Sequence, residues 1–185
     1  VACIELGVQN KPTLVVVPPS LLEQWKEVFK KFVLDDSIFV YHGYSAKNIT
    51  LPELKSKRIV LTTYGMIADR KSPEYKSMLW GIRWARIICD EAHHARNPKT
   101  NICKGLMKIV IRTKIKWFVT GTPIQNKLGD IRVLFTLMGN YIKGEKHMRL
   151  SMKKYILRRT KKSVGIKIPE RERKTIIEKQ WRTLV

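Results

Sequence analysis

Short apolar runs rich in β-branched residues alternate with helical patterns through the first 140 residues of this 185-residue chain. The predicted strands are 13–17, 38–41, 58–62, 84–89 and 115–119. A helix between two consecutive strands lets the chain cross back over the sheet, so that the strands lie parallel. The pattern therefore predicts an α/β fold, a doubly wound and mostly parallel sheet with helices on both faces.

The first predicted helix follows strand 13–17. Pro18 and Pro19 end that strand, and Ser20 is predicted to cap the helix, with Glu23 completing a capping box. Trp25 belongs to the apolar positions of this helix, which repeat at helical spacing. We expect this helix to pack on the sheet through that apolar face.

Two adjacent carboxylates, Asp90 and Glu91, directly follow predicted strand 84–89. The carboxyl edge of a parallel sheet is where doubly wound proteins bind nucleotides. There Asp90 is expected to hold the hydrated Mg²⁺ of a nucleoside triphosphate, and Glu91 to orient and deprotonate an attacking water. An isolated Asp-Glu pair is more often an acidic turn, but a second polar loop, 120–126, follows the next predicted strand. The two loops together favour a nucleotide site.

The chain carries 37 Lys and Arg against 15 Asp and Glu, a net charge of +22. Such an excess points to a polyanionic partner, with nucleic acid as the first candidate. Fifteen basic and four acidic residues lie from 141 onward. Met148 and Met152 have helical spacing there, which predicts a basic, partly helical C-terminal extension. A solvated basic tail or an acidic protein partner is the alternative interpretation of the charge.

Cys3, Cys89 and Cys103 are odd in number and show no Cys-x-x-Cys spacing. Neither a disulfide framework nor a zinc site is predicted, and Cys89 is expected to be a small core residue. No apolar stretch approaches the roughly 20 residues that cross a bilayer. We expect a soluble, intracellular protein, nuclear if its source is eukaryotic.

Four ordered segments resemble the motifs of the first RecA-like lobe of Swi/Snf-type ATPases, in helicase superfamily two. The segments and the motifs that they resemble are 12–25 (motif Ia), 59–66 (motif Ib), 90–93 (motif II) and 120–126 (motif III). Segment 157–161 resembles the stretch that leads from the first lobe toward the second. Segment 84–98 looks closest to the branch that holds DNA-repair translocases and a transcription-termination ATPase.

The resemblance implies an ATP- and Mg²⁺-dependent motor that translocates on double-stranded DNA and remodels nucleosomes or other DNA-bound proteins. Asp90 and Glu91 would serve Mg²⁺ and water activation, as their chemistry predicts. His93 and Gln125 would lie at the nucleotide. Thr120 and Thr122 would couple the nucleotide site to the DNA-contacting surface.

Positions that match motifs Ia and Ib, together with one glycine near motif III, are predicted to contact the DNA backbone. They are Pro19, Ser20, Thr62, Thr63, Tyr64 and Gly121. Hydroxyls and amides at helix starts carry no base code, so binding is expected to be sequence-independent and salt-dependent. Arg158 and Arg159 either contact DNA as well or brace the two lobes against each other.

Two parts of the family pattern are absent from the sequence. No Gly-x-x-x-x-Gly-Lys-Ser/Thr loop occurs, and we expect this Walker A loop just upstream of residue 1. The second lobe, which carries an arginine finger, is also absent. We expect residues 1–140 to form lobe 1 and 141–185 a basic connector or brace toward the second lobe. This chain alone is expected to be nearly inactive.

Two other functions remain open at the level of sequence. One is a catalytically inactive nucleic-acid or protein docking module that keeps the fold without the triphosphate loop. The other is an RNA-directed helicase of the same superfamily. Fold class does not choose among them.

Overall fold

The computed structural model describes residues 12–32, 38–70, 76–121, 128–159 and 165. One sheet holds the strands β1 (Thr13–Val17), β2 (Ile38–Tyr41), β3 (Ile59–Thr63), β4 (Arg86–Cys89) and β5 (Ile115–Phe118). Each described strand pairs in parallel with its neighbours, in the order β2-β3-β1-β4-β5. The predicted parallel α/β sheet is confirmed.

Helices connect and cover these strands. They are α1 (Leu22–Phe32), α2 (Leu51–Ser56), α3 (Tyr64–Ile67), α4 (Asn101–Val110), α5 (Leu128–Met138) and α6 (Gly144–Tyr155). Short 3₁₀ turns occur at Pro19–Leu21, Met78–Gly81 and Ala92–Ala95. The order along the chain gives the alternation of strand and helix that the sequence predicts.

Alternate residues of the central strand β1 belong to two separate cores. Leu14 and Val16 lie in one core, which also contains buried residues of α4 and α5. Val15 and Val17 lie in the other, together with Leu22 and Phe29 of α1. Because successive side chains of a strand point to opposite faces, helices cover the sheet on both sides. The doubly wound prediction is therefore confirmed.

The start of α1 differs from its prediction. Ser20 lies inside the turn Pro19–Leu21. The N-cap of this turn is Pro18, which makes no side-chain cap bond. The amide of Leu21 donates to the Pro18 carbonyl at 3.0 Å. Proline is suited to the first position of a helical turn, because its φ is already helical and it lacks an amide hydrogen. Ser20 is therefore not the N-cap, and its side chain is exposed.

The structure divides into two compact units, Val1–Met148 and Arg149–Val185. The first contains the sheet and the helices α1 to α5. The helix α6 covers Met148 and Met152, which were predicted to be helical, whereas most of the basic extension lies outside the described residues. The boundary near residue 140 stays a prediction. No helix within the described ranges is long and apolar enough to cross a membrane.

Candidate active site

The loops that follow β1, β4 and β5 meet at the carboxyl edge of the sheet. In the register of the strands, Val16 pairs with Cys89, which pairs with Phe118. The Asp90 amide donates to the Val16 carbonyl at 2.9 Å, and the Ala92 amide donates to the Val119 carbonyl at 2.9 Å. These backbone bonds bring the loop after β4 against the start of loop 120–126.

Asp90 is fixed at both its side chain and its backbone. The indole Nε1 of Trp25, on α1, donates to Asp90 Oδ2 at 2.8 Å, and the Glu91 amide donates to Oδ1 at 2.9 Å. The Tyr64 hydroxyl donates to the Asp90 carbonyl at 2.7 Å. The side chain is partly buried, and each carboxylate oxygen keeps a lone pair for a further ligand.

Glu91 has a left-handed backbone, with φ 49° and ψ 49°. This region is unfavourable for a residue with a side chain, and such conformations cluster at functional sites. The turn Ala92–Ala95 follows immediately. The left-handed residue thus redirects the chain from the strand into this turn.

His93 links Glu91 to the loop after β5. Its Nδ1 lies 3.1 Å from Glu91 Oε2 and 3.1 Å from Thr120 Oγ1. The donor and acceptor roles in these contacts depend on the tautomer of the His93 ring. The His93 ring stacks on His94, with centroids 4.8 Å apart, and the Tyr64 ring lies 5.3 Å from His94.

Burial favours the neutral forms of Tyr64 and Cys89, which lie next to Asp90. Burial raises the pKa of Tyr64 far above its usual value, and the nearby carboxylates of Asp90 and Glu91 raise it further. The pKa of Cys89 is also raised, first by burial and then by Asp90. The Cys89 thiol is fully buried, which confirms its assignment as a core residue.

The Asp90 carboxylate suits Mg²⁺ better than it suits a metal ion whose ligands all come from the protein. Mg²⁺ keeps several waters and binds through one or two carboxylates, together with substrate phosphates. Asp90 supplies one such carboxylate beside solvent-accessible loops. Within the described part of the chain, no group of three or more His, Cys, Asp or Glu residues is arranged to hold a metal ion.

The predicted DNA contacts fall into two groups. Pro19, Ser20 and Gly121 are exposed. Thr62 and Thr63 are buried, and their hydroxyls contact the Tyr41 carbonyl at 2.8 Å and His42 Nδ1 at 3.3 Å. Tyr64 is 3% exposed and bonded to Asp90. The side chains of Thr62, Thr63 and Tyr64 therefore face inward. Contact of this segment with the DNA backbone stays a prediction.

Four candidates remain. Thr122 and Gln125 lie outside the described residues. Arg158 and Arg159 are exposed in the second unit, each on non-helical chain that follows α6.

Sequence reasoning missed the roles of Trp25 and Tyr64 beside Asp90. Trp25 was assigned only to an apolar helix face, and Tyr64 to the DNA surface. Tryptophan and tyrosine usually find a hydrogen-bond partner when they are buried. The indole N–H of Trp25 and the hydroxyl of Tyr64 are therefore the signal in the sequence. Each could have been expected to donate to an acceptor near the carboxyl edge.

The fold and the site define a class, the RecA-like lobe of a helicase-type ATPase. The chain belongs to the SNF2-related domain family, whose model matches residues 5–147. This confirms the predicted resemblance to the first lobe of Swi/Snf-type ATPases.

Curated relatives are identical to the chain at about a third of the aligned positions. It is 36% identical over 137 residues to human helicase-like transcription factor, covering 71% of this chain and 13% of that protein. It is 35% identical over 169 residues to transcription termination factor 2 of Drosophila melanogaster, covering 80% of this chain and 15% of that protein. DNA repair protein RAD5 of Saccharomyces cerevisiae is 36% identical over 138 residues, covering 66% of this chain and 12% of that protein. The chain thus spans a small part of each relative.

A solved structure shares the fold. The SWI2/SNF2 ATPase core of Sulfolobus solfataricus in complex with dsDNA is 28% identical with a TM-score of 0.66. The match covers 85% of this chain and 35% of that one.

The names of the curated relatives agree with the predicted branch of repair proteins and a termination factor.

Proposed function

We propose that this chain forms the first RecA-like lobe of an ATP-hydrolysing motor that acts on double-stranded DNA. The observation that carries the proposal is the chain of direct contacts from Trp25 through Asp90 and Glu91 to His93 and Thr120. Family membership supports the class of reaction, and the likeness to an archaeal ATPase core solved in complex with dsDNA supports the class of partner.

Asp90 would hold the hydrated Mg²⁺ of bound ATP in this proposal. The Trp25 and Glu91 N–H groups fix the orientation of the carboxylate before the nucleotide arrives, so that little reorganisation is needed on binding. Bound Mg²⁺ would neutralise the charge that develops on the transferred phosphoryl group.

Glu91 orients the attacking water and accepts its proton. The Glu91 side chain is 37% exposed, so water reaches it, while His93 holds one of its oxygens. A positioned general base of this kind contributes roughly 10²- to 10⁴-fold to a rate.

His93 and Thr120 connect the base to the loop after β5. We assign them, with Thr122 and Gln125, to the nucleotide and to coupling between nucleotide and DNA. The direct contact that supports this assignment is the 3.1 Å approach of His93 Nδ1 to Thr120 Oγ1.

DNA binds through its phosphates at the exposed residues Pro19, Ser20 and Gly121, with Arg158 and Arg159 as further candidates. Buried Thr62 and Thr63 contribute by shaping the segment rather than by touching phosphate. The net charge of +22 favours a polyanion and predicts strong salt dependence.

The rest of the motor belongs to the natural protein in this proposal. The match covers 35% of the archaeal core, which leaves room for a Walker A loop and a second lobe with its arginine finger. Residues 141–185 act as the connector or brace toward that lobe. Nucleosomes or other DNA-bound proteins are the remodelled partners, in the nucleus of a eukaryotic source.

The test is ATP hydrolysis by the complete natural protein, with and without duplex DNA, in wild type and in Glu91→Gln. We expect duplex to stimulate the wild type, and Glu91→Gln to lose roughly 10²-fold or more of that rate. Glu27→Gln is the matched control, because Glu27 is an exposed carboxylate on α1. It should keep the wild-type rate.

Other results would select other functions. Unchanged turnover in Glu91→Gln would remove the base role. No hydrolysis in the wild type, with salt-sensitive DNA binding retained, would make the protein a docking module. Stronger stimulation by RNA than by duplex DNA would indicate an RNA-directed helicase.

A further inference from the structure

Asp90 is hydrogen-bonded to two of the segments that were predicted to contact DNA. Trp25 lies on α1, which follows the turn Pro19–Leu21, and its indole holds Asp90 Oδ2 at 2.8 Å. Tyr64 is the first residue of α3, and its hydroxyl holds the Asp90 carbonyl at 2.7 Å. The side chain and the backbone of one residue are thus each fixed by a different segment.

Each segment has an exposed side as well as its bond to Asp90. Pro19 and Ser20 are exposed where the chain enters α1. Gly65 is exposed directly after Tyr64, which is itself buried. A phosphate backbone that contacts the exposed residues therefore acts on segments that hold Asp90 from within.

The two bonds are sensitive to small movements of these segments. The Trp25 bond ends on a carboxylate, and bonds to charged acceptors are shorter and stronger than neutral ones. Hydrogen bonds weaken steeply as they lengthen or bend. The Tyr64 hydroxyl is the donor in its bond, because the Asp90 carbonyl can only accept. A shift of either segment by tenths of an ångström changes how firmly Asp90 is held.

Tyr64 is also linked, through two histidine rings, to Glu91. Its ring lies 5.3 Å from the His94 ring, which stacks on His93 at 4.8 Å. His93 in turn contacts Glu91 at 3.1 Å. Tyr64 therefore bonds to the backbone of Asp90 and packs against His94, which stacks on the histidine next to Glu91.

We propose that Trp25 and Tyr64 are positioning residues through which engagement of duplex DNA phosphates sets the orientation of Asp90 and so stimulates hydrolysis. The inference rests on the proposed function. It assigns the coupling between the DNA surface and the nucleotide site to two hydrogen bonds, in addition to the His93–Thr120 contact.

The experiment uses the complete natural protein and measures ATP hydrolysis without DNA and at saturating duplex DNA. Tyr64→Phe removes one oxygen, and Trp25→Phe removes the indole donor. We expect the ratio of stimulated to unstimulated rate to fall roughly 5- to 10-fold in each, as expected for losing one such bond. Trp25→Phe should also raise the Mg²⁺ concentration needed for half-maximal rate severalfold, because Trp25 touches the carboxylate itself.

Two control variants make the same substitutions, Tyr to Phe and Trp to Phe, at exposed positions. Tyr44→Phe removes the hydroxyl of a tyrosine that is 81% exposed, and Trp117→Phe alters a tryptophan that is 48% exposed. Both should keep the wild-type ratio. Saturating DNA removes any contribution from weaker DNA binding.

Two results would overturn the inference. If both rates fall in proportion and the ratio is kept, the two residues are merely structural. If the wild type itself shows no stimulation by duplex, the proposed function fails and the inference falls with it. Thermal unfolding of each variant is measured in parallel. If Trp25→Phe proves unfolded, the smaller change Tyr64→Phe decides.

Discussion

Glu91 combines an unfavourable backbone with the central position in the site. Among the described residues other than glycine, Glu91 alone has a positive φ, of 49°. A left-handed residue with a side chain costs about 1–2 kcal/mol. The bond from the Ala92 amide to the Val119 carbonyl and the contact from His93 to Thr120 lie on the residues that follow. These contacts hold Glu91 in a conformation that the isolated chain would avoid.

The strain predicts an unusual order of stability between two variants. Both Glu91→Gly and Glu91→Ala remove the carboxylate, but only glycine tolerates this backbone without cost. We expect Glu91→Gly to have a free energy of unfolding about 1 kcal/mol higher than Glu91→Ala. Chemical unfolding of the two variants measures the difference.

The same pair of substitutions at Glu27, inside α1, is the control. Glycine in a helix interior is about 1 kcal/mol worse than alanine, so the order should reverse there. Equal stabilities for the Gly and Ala variants at position 91 would show that its backbone carries no such strain.

His94 gives the fold a dependence on pH. Burial lowers the pKa of His94 below its usual value, and neighbouring His93 lowers it further, while Glu91 opposes the shift. The unfolded chain then takes up the proton first as pH falls below about 6.5. Folding stability contributed by neutral His94 is therefore present above that pH and lost below it.

We expect the His94→Gln variant to lose less stability than the wild type on acidification. The measurement is the free energy of unfolding at about pH 7.5 and about pH 5.5, where the difference between the two reports the linked protons. An identical loss in the variant and the wild type would assign the pH dependence to other groups.

At the scale of elements, α3 and α4 approach each other at backbone distance. A Cβ built on Gly105 of α4 would lie 1.8 Å from the Ile67 carbonyl oxygen of α3. The Asp69 amide donates to the Asn101 carbonyl at 2.8 Å, and Lys108 bonds Asp69 at 2.9 Å. The helix after the active-site turn therefore supports the segment that contains Tyr64.

This contact predicts that Gly105→Ala destabilises the fold despite the better helix propensity of alanine. Overpacking of this kind costs about 3 kcal/mol, against a propensity gain of about 1 kcal/mol. Gly129→Ala on α5 is the matched control, because nothing lies within 4 Å of a Cβ there. It should be neutral or slightly stabilising. Thermal unfolding compares them, and equal midpoints would contradict the close contact.

At the scale of the whole molecule, the net charge of +22 predicts how DNA affinity responds to salt. Each phosphate contact that is lost lowers the slope of log affinity against log salt by roughly 1. If Arg158 and Arg159 contact DNA, replacing both with Gln should lower the slope by roughly 2, equally for all sequences. Titration of the complete protein with duplex DNA at several salt concentrations measures it.

The control for this charge change lies at the start of β5, at the edge of the sheet opposite Asp90 and Glu91. Arg112 and Lys114 are exposed and precede the first residue of β5. Replacing both with Gln removes the same charge away from the candidate DNA surface and should leave the slope nearly unchanged. An unchanged slope after replacement of Arg158 and Arg159 would favour the alternative, that they brace the lobes.

The sequence by itself determined the strands, the doubly wound sheet and the family. Periodicity and β-branched composition are local properties, and parallel pairing then places every strand end at one edge, including Asp90 and Glu91. Where parallel topology brings residues to a common edge, short sequence patterns are enough to find a candidate site.

Only the tertiary structure decided which polar groups pair with one another. Trp25 and Asp90 are 65 positions apart, and Tyr64 and Asp90 are 26 apart. The inward orientation of Thr62 and Thr63 and the left-handed backbone of Glu91 also depend on neighbours distant in sequence. The physical reason is that a hydrogen bond requires an angle and a separation near 3 Å, which packing sets and residue type does not.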